Sequence, residues 1–260
     1  MIKSSLGYIG IAVSDAENQI IIKAEAVGSS GEGKHLPEIL DKTIENMNEA
    51  NVKTPEGTKL TLLADANYYS EENLEACQKY GIEAIMPDIQ YRKRLGGKNK
   101  MRYEVDDFIY HETGNYYECP NGKKLMYKGE SSIYRGHKGK TYRASVTDCR
   151  MCPMISKCIR SKKETNKIKC GRELLISKSS ESGSLCRALR EKMNSEEYQN
   201  HYAHRIQIIE PVFANISYCK GLNRFTLRGK SKVNSQWQLF CITHNLGKCL
   251  KGFNRKYGYA

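Results

Sequence analysis

What the 260-residue sequence lacks narrows its class before any motif is considered. No stretch approaches the roughly 18 apolar residues of a spanning helix, which excludes a helical membrane protein. The opening "MIKSSLGYIGIAVSDAE" has neither a long apolar core nor a small-residue cleavage site, so it does not read as a secretory leader, and the expected compartment is intracellular. The ten cysteines do not read as a secreted disulfide scaffold, because the chain is long and carries no export signal. Acid is scarce at one end: residues 201–260 hold ten Lys or Arg and a single acid, Glu210.

The whole chain carries 42 Lys plus Arg against 29 Asp plus Glu, a net +13 with a pI near 9.2. Such a field favours a polyanionic partner, although a basic surface also serves solubility. Four cysteines stand out by spacing. "YYECPNGKKLMY" supplies Cys119, and "TDCRMCPMISKC" supplies Cys149, Cys152 and Cys158. A C-x2-C pair with two further cysteines offers the donor set of a tetrahedral Zn2+ site, and packed reduced thiols are the other reading.

Alternating and apolar runs predict strands at residues 8–13 and 19–27, with a turn between them. "GSSGEG" then breaks regular structure. Leu36, Ile39, Leu40, Ile44 and Met47 predict one apolar face of a helix. A strand running into Asp65, a helix over 71–79 and a short strand in "IEAIMP" follow, an order that suggests a mixed α/β sheet. Asp65 closes the run Leu60–Ala64, and such a residue either caps a turn or projects into a cleft at the strand's carboxyl end. From residue 88 to 170 the texture becomes Tyr-, Gly- and Cys-bearing, as expected of an inserted β-rich module. Glu210 precedes Pro211, and proline disfavours α conformation in its predecessor, so Glu210 is expected at a helix boundary.

Taken together, "ADANYYSEENL", "PDIQYRKR" and "IIEPVFANISYCKGLNRFTLRGKSKVNSQWQLFCITHNLGK" resemble the DDE transposases of bacterial insertion sequences. The likeness extends over almost the whole chain, including the Cys-rich insertion. It implies a ribonuclease H-like α/β core in which three acids hold two divalent ions, usually Mg2+, for DNA strand cleavage and joining. Asp65 matches the family's second catalytic aspartate and Glu210 its glutamate. Two carboxylates suit hard cations, which position a nucleophile and stabilise charge on a scissile phosphate.

The pattern departs from the family at the first aspartate, which belongs on a strand ahead of "GYIGIAV"; only residues 1–6 precede that hairpin here. Asp15 lies in a turn and is expected to serve the turn. The expected fold is therefore an incomplete ribonuclease H-like mixed sheet with a Cys-rich, β-containing insertion. Its divisions are a partial core at 1–87, an inserted module at 88–170 and a helical part at 171–260 that completes the core. The chain is expected to be the carboxyl-terminal portion of a transposase, inactive alone, with a non-catalytic, interfering DNA-binding remnant as the alternative. Ser217 stands where many relatives have a lysine, leaving Arg205, Lys220 and Arg224, together with Arg228, Lys230 and Lys232, either to meet DNA phosphates or to serve as solvated surface. Implied partners are transposon inverted-repeat ends and a second copy or a full-length transposase, on the bacterial nucleoid. Trp237, His244 and Asn245 match the closing motif, with the tryptophan expected to pack rather than to stack on bases.

Overall fold

A computed structural model describes residues 7–28, 31–52, 57–95, 103–132, 138–159, 168–177, 181 and 184–257. The chain divides into two units, Met1–Asp88 with Leu189–Ala260, and Ile89–Ala188.

The first unit opens with an antiparallel hairpin, β1 (Tyr8–Ser14) and β2 (Ile21–Gly28), whose turn is built by Asp15. The Asp15 carboxylate accepts the N–H groups of Glu17 (3.1 Å), Asn18 (2.6 Å) and Ile20 (2.5 Å), so its role is the turn, as its position predicts. Strand alternation sends Ile9, Ile11, Val13 and Val27 to one face, where Ile39 of α1 (Leu36–Glu49) packs on them. Tyr8, Ala12, Ala24 and Ala26 take the other face, against Val233, Trp237 and Cys241 of α8 (Lys230–Tyr257). Gly10 lies under the Trp237 indole, where an added Cβ would come within 2.8 Å of the ring. Two asparagines of α8 satisfy the outer backbone of β2: Asn234 accepts the Ala26 N–H at 2.8 Å, and Asn245 both accepts from and donates to Ile21 at 2.8 Å.

Beyond α1 come β3 (Thr61–Leu63), a 3-10 turn at Ala66–Tyr68, α2 (Glu71–Lys79) and β4 (Glu83–Ile85). Ser70 caps α2 by accepting the Asn73 N–H, with Glu71 and Glu72 in its first turn and Lys79 in its last, each favourable to the helix dipole. β3 and β4 pair in parallel. The strands of the first unit thus form two separate pairs, and no strand among the described residues joins β1 to β3. Among the described residues, β1 and β3 each keep one edge without a strand partner. Ala26 turns its N–H outward to Asn234, so its partner Gly10 turns its own backbone groups to the far edge of β1. Leu60 and Ala64 bond toward β4, which leaves the groups of Thr61 and Leu63 on the far edge of β3. Helices tie the pairs together: Asp41 of α1 accepts from Lys79 (3.0 Å) and Tyr80 (2.5 Å). α7 (Glu196–Ala214) contributes Val212 to the hairpin core and the Tyr198 hydroxyl to Glu83.

The second unit is built on a five-stranded antiparallel sheet in chain order: β5 (Ile109–His111), β6 (Tyr116–Glu118), β7 (Lys124–Ser132), β8 (Lys138–Ala144) and β9 (Glu173–Ile176). Its last strand lies past residue 170, where composition placed the end of the module; the apolar "ELLI" pairs with β8 and belongs to this core. Phe108, Tyr117, Leu125, Tyr142, Leu174 and Ile176 form that core, with the Tyr117 and Tyr142 rings edge-to-face at 4.8 Å. Cys149 of α4 (Val146–Arg150) and Cys158 of α5 (Ile155–Cys158) pack against it; α3 (Tyr91–Leu95) belongs to the same unit, and α6 (Leu185–Lys192) follows at the division between the units. The chain is a mixed α/β protein, and no helix among the described residues is long and apolar enough to cross a membrane.

Candidate active site and thiol cluster

Asp65 stands two residues past β3, half-buried, and its carboxylate accepts the Asn67 N–H at 2.8 Å. It therefore caps the 3-10 turn and occupies the carboxyl end of the strand at once. Asn67 in turn donates its side-chain amide to Glu32 at 2.7 Å. The backbones of these two turns touch: an added Cβ on Gly33 would lie 2.1 Å from the Asn67 carbonyl oxygen, and the Gly33 carbonyl accepts from Asn73 at 2.9 Å. "GEG", legible in sequence only as a helix breaker, thus packs on the Asp65 loop. Burial, followed by the Glu32 and Asp65 carboxylates, raises the Tyr68 hydroxyl above its usual range, and Arg205 opposes the rise. The Tyr68 hydroxyl thus feels the charges of Glu32, Asp65 and Arg205. Glu32, Asn67 and Tyr68 were missed because nothing in their spacing marks them; the pairing of two short turns brings them in.

Glu210 is exposed on α7, inside the helix rather than at its boundary. The helix runs through Pro211 to Ala214 and continues as a π-turn at Asn215–Cys219. The expectation of a break fails because the carbonyl that loses its partner, that of Gln207, accepts a hydrogen bond from the Gln19 side chain at 2.9 Å. Ser217 turns its hydroxyl back to the Phe213 carbonyl at 2.8 Å. Arg224, Arg228, Lys230 and Lys232 are exposed, while Arg205 and Lys220 are half-buried. Trp237, 3% exposed, donates its indole N–H to the Ile11 carbonyl at 2.9 Å and is a packing residue.

The four cysteines singled out by spacing line one cavity of about 30 Å3, together with Asn121, Lys123, Asp148 and Arg172. None is in a disulfide. Two backbone amides point at sulfur: Lys123 N–H to Cys119 Sγ at 3.4 Å, and Arg172 N–H to Cys149 Sγ at 3.3 Å. Gly122 at φ 69° makes the tight turn that returns the Lys123 amide to Cys119. Burial pushes the Cys158 thiol up to about 11, the Arg172 guanidinium opposes this, and Cys149, Cys119 and Cys152 add to it. Among the described residues, however, no group of three or more His, Cys, Asp or Glu side chains is gathered closely enough to hold a metal ion.

Residues 118–250, just over half of the chain, match the family described as "Transposase DDE domain". The chain belongs to that family. No curated protein and no solved structure matches it. The transposase match takes in all four cysteines, Arg205, Glu210 and the basic stretch from Lys220 to Lys232, while Asp65 precedes it. A DDE-type transposase works in DNA transposition, with DNA as its general partner and divalent-metal-dependent chemistry.

Proposed function

We propose that this chain supplies two of the three carboxylates of a ribonuclease H-like transposase centre, Asp65 and Glu210, and acts on transposon inverted-repeat DNA. The reading is carried by Asp65 standing at the carboxyl end of β3 in a chain whose DDE match includes Glu210. Carboxylates are the right donors for Mg2+. As they stand they do not make a metal site: the described residues offer no group of three ligands, and Asp65 is engaged with the Asn67 amide. No step is therefore derived through the metal. The third acid comes, on this reading, from a strand seated between the open edges of β1 and β3. Arg205, whose charge acts on Tyr68 against that of Asp65, is read as the cation that neutralises a phosphate approaching the carboxylates. A second reading, a non-catalytic DNA-binding remnant that competes with a complete transposase or pairs with one, is favoured by the lack of that third carboxylate among the described residues.

DNA affinity is assigned to Lys220, Arg224, Arg228, Lys230 and Lys232. Glutamate substitutions are expected to weaken short duplexes of unrelated sequence alike. Each lost phosphate contact should reduce the slope of log affinity against log salt by about 0.9. Fluorescence anisotropy over a salt series measures this; binding independent of salt would assign these cations to solubility alone.

Cys119, Cys149, Cys152 and Cys158 are read as the donors of a structural Zn2+ site, and since they are not gathered closely enough to hold an ion as described, binding would have to draw them together. The donor set, the two amides aimed at sulfur and the nearby Arg172 charge all favour bound thiolates. Reduced protein is expected to carry roughly one zinc per chain. Because the thiols must lose protons to bind, and Cys158 holds its proton up to about 11, affinity should rise with pH and fall in mild acid. Elemental analysis and a chelator titration at several pH values test both statements. Absence of zinc, with the second unit unchanged by chelation, would leave the cysteines as packed thiols.

A further inference from the structure

A proline inside a helix removes the N–H that would bond the carbonyl four residues earlier. In α7 the proline is Pro211 and the carbonyl is that of Gln207, to which Gln19 Nε2 donates at 2.9 Å. Gln19 is an unusual residue to find in the hairpin turn, since it adopts a left-handed φ of 60° without being glycine. Its carbonyl and its side-chain oxygen are also engaged. The Gln19 carbonyl lies 2.9 Å from His244 Nε2, which must be the donor, and its Oε1 accepts from Lys248 at 2.6 Å. His244 is 2% exposed, and its Nδ1 lies 3.0 Å from Asn215 Oδ1. Gln207 and Asn215 flank Glu210 on either side along α7 and its π-turn.

We infer that Gln19 and His244 are positioning residues for Glu210: they grip the helix on both sides of the proline and fix the direction in which that turn presents its carboxylate. The inference rests on the reading of Glu210 as a catalytic ligand. It gives "QIII" and "THN" one purpose, since the hairpin turn and α8 hold α7 through the same two side chains. Without the grip, the Gln207 carbonyl turns to water and the helix is free to bend at Pro211.

The test is a double-mutant cycle on the full chain, read by amide hydrogen exchange in residues 207–214. Gln19→Glu keeps the size and an acceptor for Lys248 but cannot donate to Gln207; Gln19→Leu removes both. Each is expected to speed exchange in that segment several-fold, up to roughly tenfold, the scale of one lost hydrogen bond. Pro211→Ala restores an amide that bonds Gln207 directly, so in that background both Gln19 variants should change exchange in this segment little. A generic loss of turn stability would act equally in the two backgrounds, and that result overturns the inference, as does unchanged exchange in either single variant. In a version carrying an upstream strand with an aspartate, Gln19→Glu should lower kcat while leaving KM in place, with Pro211→Ala restoring it. Coupled exchange accompanied by cleavage that survives Glu210→Ala would remove Glu210 from catalysis while the grip itself stands, which separates the two failures.

Discussion

Incubated with Mg2+ and matched inverted-repeat ends, the chain alone is expected to yield no cleaved or joined DNA above background. On the proposed reading the chain offers two carboxylates, Asp65 after β3 and Glu210 on α7, but the two strand pairs of the first unit share no ladder among the described residues. A strand seated between them would bring an acid and would also set the spacing between Asp65 and the hairpin that holds α7. Loss of position alone is severe, since a displacement near 1 Å costs about a hundredfold in rate. A version carrying an upstream strand with an aspartate should cleave in a metal-dependent way, and Asp65→Ala or Glu210→Ala should abolish that activity. Cleavage by the unextended chain, lost on either substitution, would overturn the proposal and require a substitute ligand. Asp15 is poorly placed for it, with its carboxylate taken by three turn amides. Glu32, tied to the Asp65 loop through Asn67, would be tested first.

Replacing Trp237 with alanine is expected to destabilise the first unit by about 3–5 kcal/mol, the range for truncating a buried aromatic. The side chain is 3% exposed, packs on Gly10 and Phe225, and holds the Ile11 carbonyl. Against a typical domain stability of about 5–15 kcal/mol, that loss leaves little. Leu246→Ala, on the outward side of the same helix where the leucine is 58% exposed, should change stability by no more than about 0.5 kcal/mol. Urea unfolding followed by far-ultraviolet circular dichroism compares the two. Equal effects would mean that α8 is not held to the hairpin through its Trp237 face. Trp237 is the chain's single tryptophan, so its fluorescence reports on the first unit, in whose core it is buried.

Local order was legible where periodicity was strong. The apolar spacing of Leu36, Ile39 and Leu40 marks α1, and the alternation in "YIGIAV" marks β1, because burial of one face dictates both patterns. Asp65 was legible from its place after an apolar strand, and of its two readings the turn cap is the one seen, since its carboxylate accepts the Asn67 N–H. What escaped were contacts between segments far apart in sequence. The helix was expected to stop at Glu210 because the proline rule is local, whereas the partner that satisfies the freed carbonyl lies 188 residues away in Gln19. Glu32 escaped for the same reason: its place beside Asp65 depends on two turns meeting with no side chain between Gly33 and the Asn67 carbonyl.

Asn234 and Asn245 reach β2 at Ala26 and Ile21. Eleven helical residues rise about 16 Å, and five strand residues advance about 16 Å, so the two elements are ruled to a common measure. A single inserted or deleted codon between those asparagines would turn one of them about 100° around the helix and shift it about 1.5 Å along the axis, breaking one end of the match however well the new residue suits a helix. The gene should therefore tolerate spelling changes in this stretch far better than changes of length, and in a scan of one-codon deletions residues 234–245 should be among the least forgiving parts of α8.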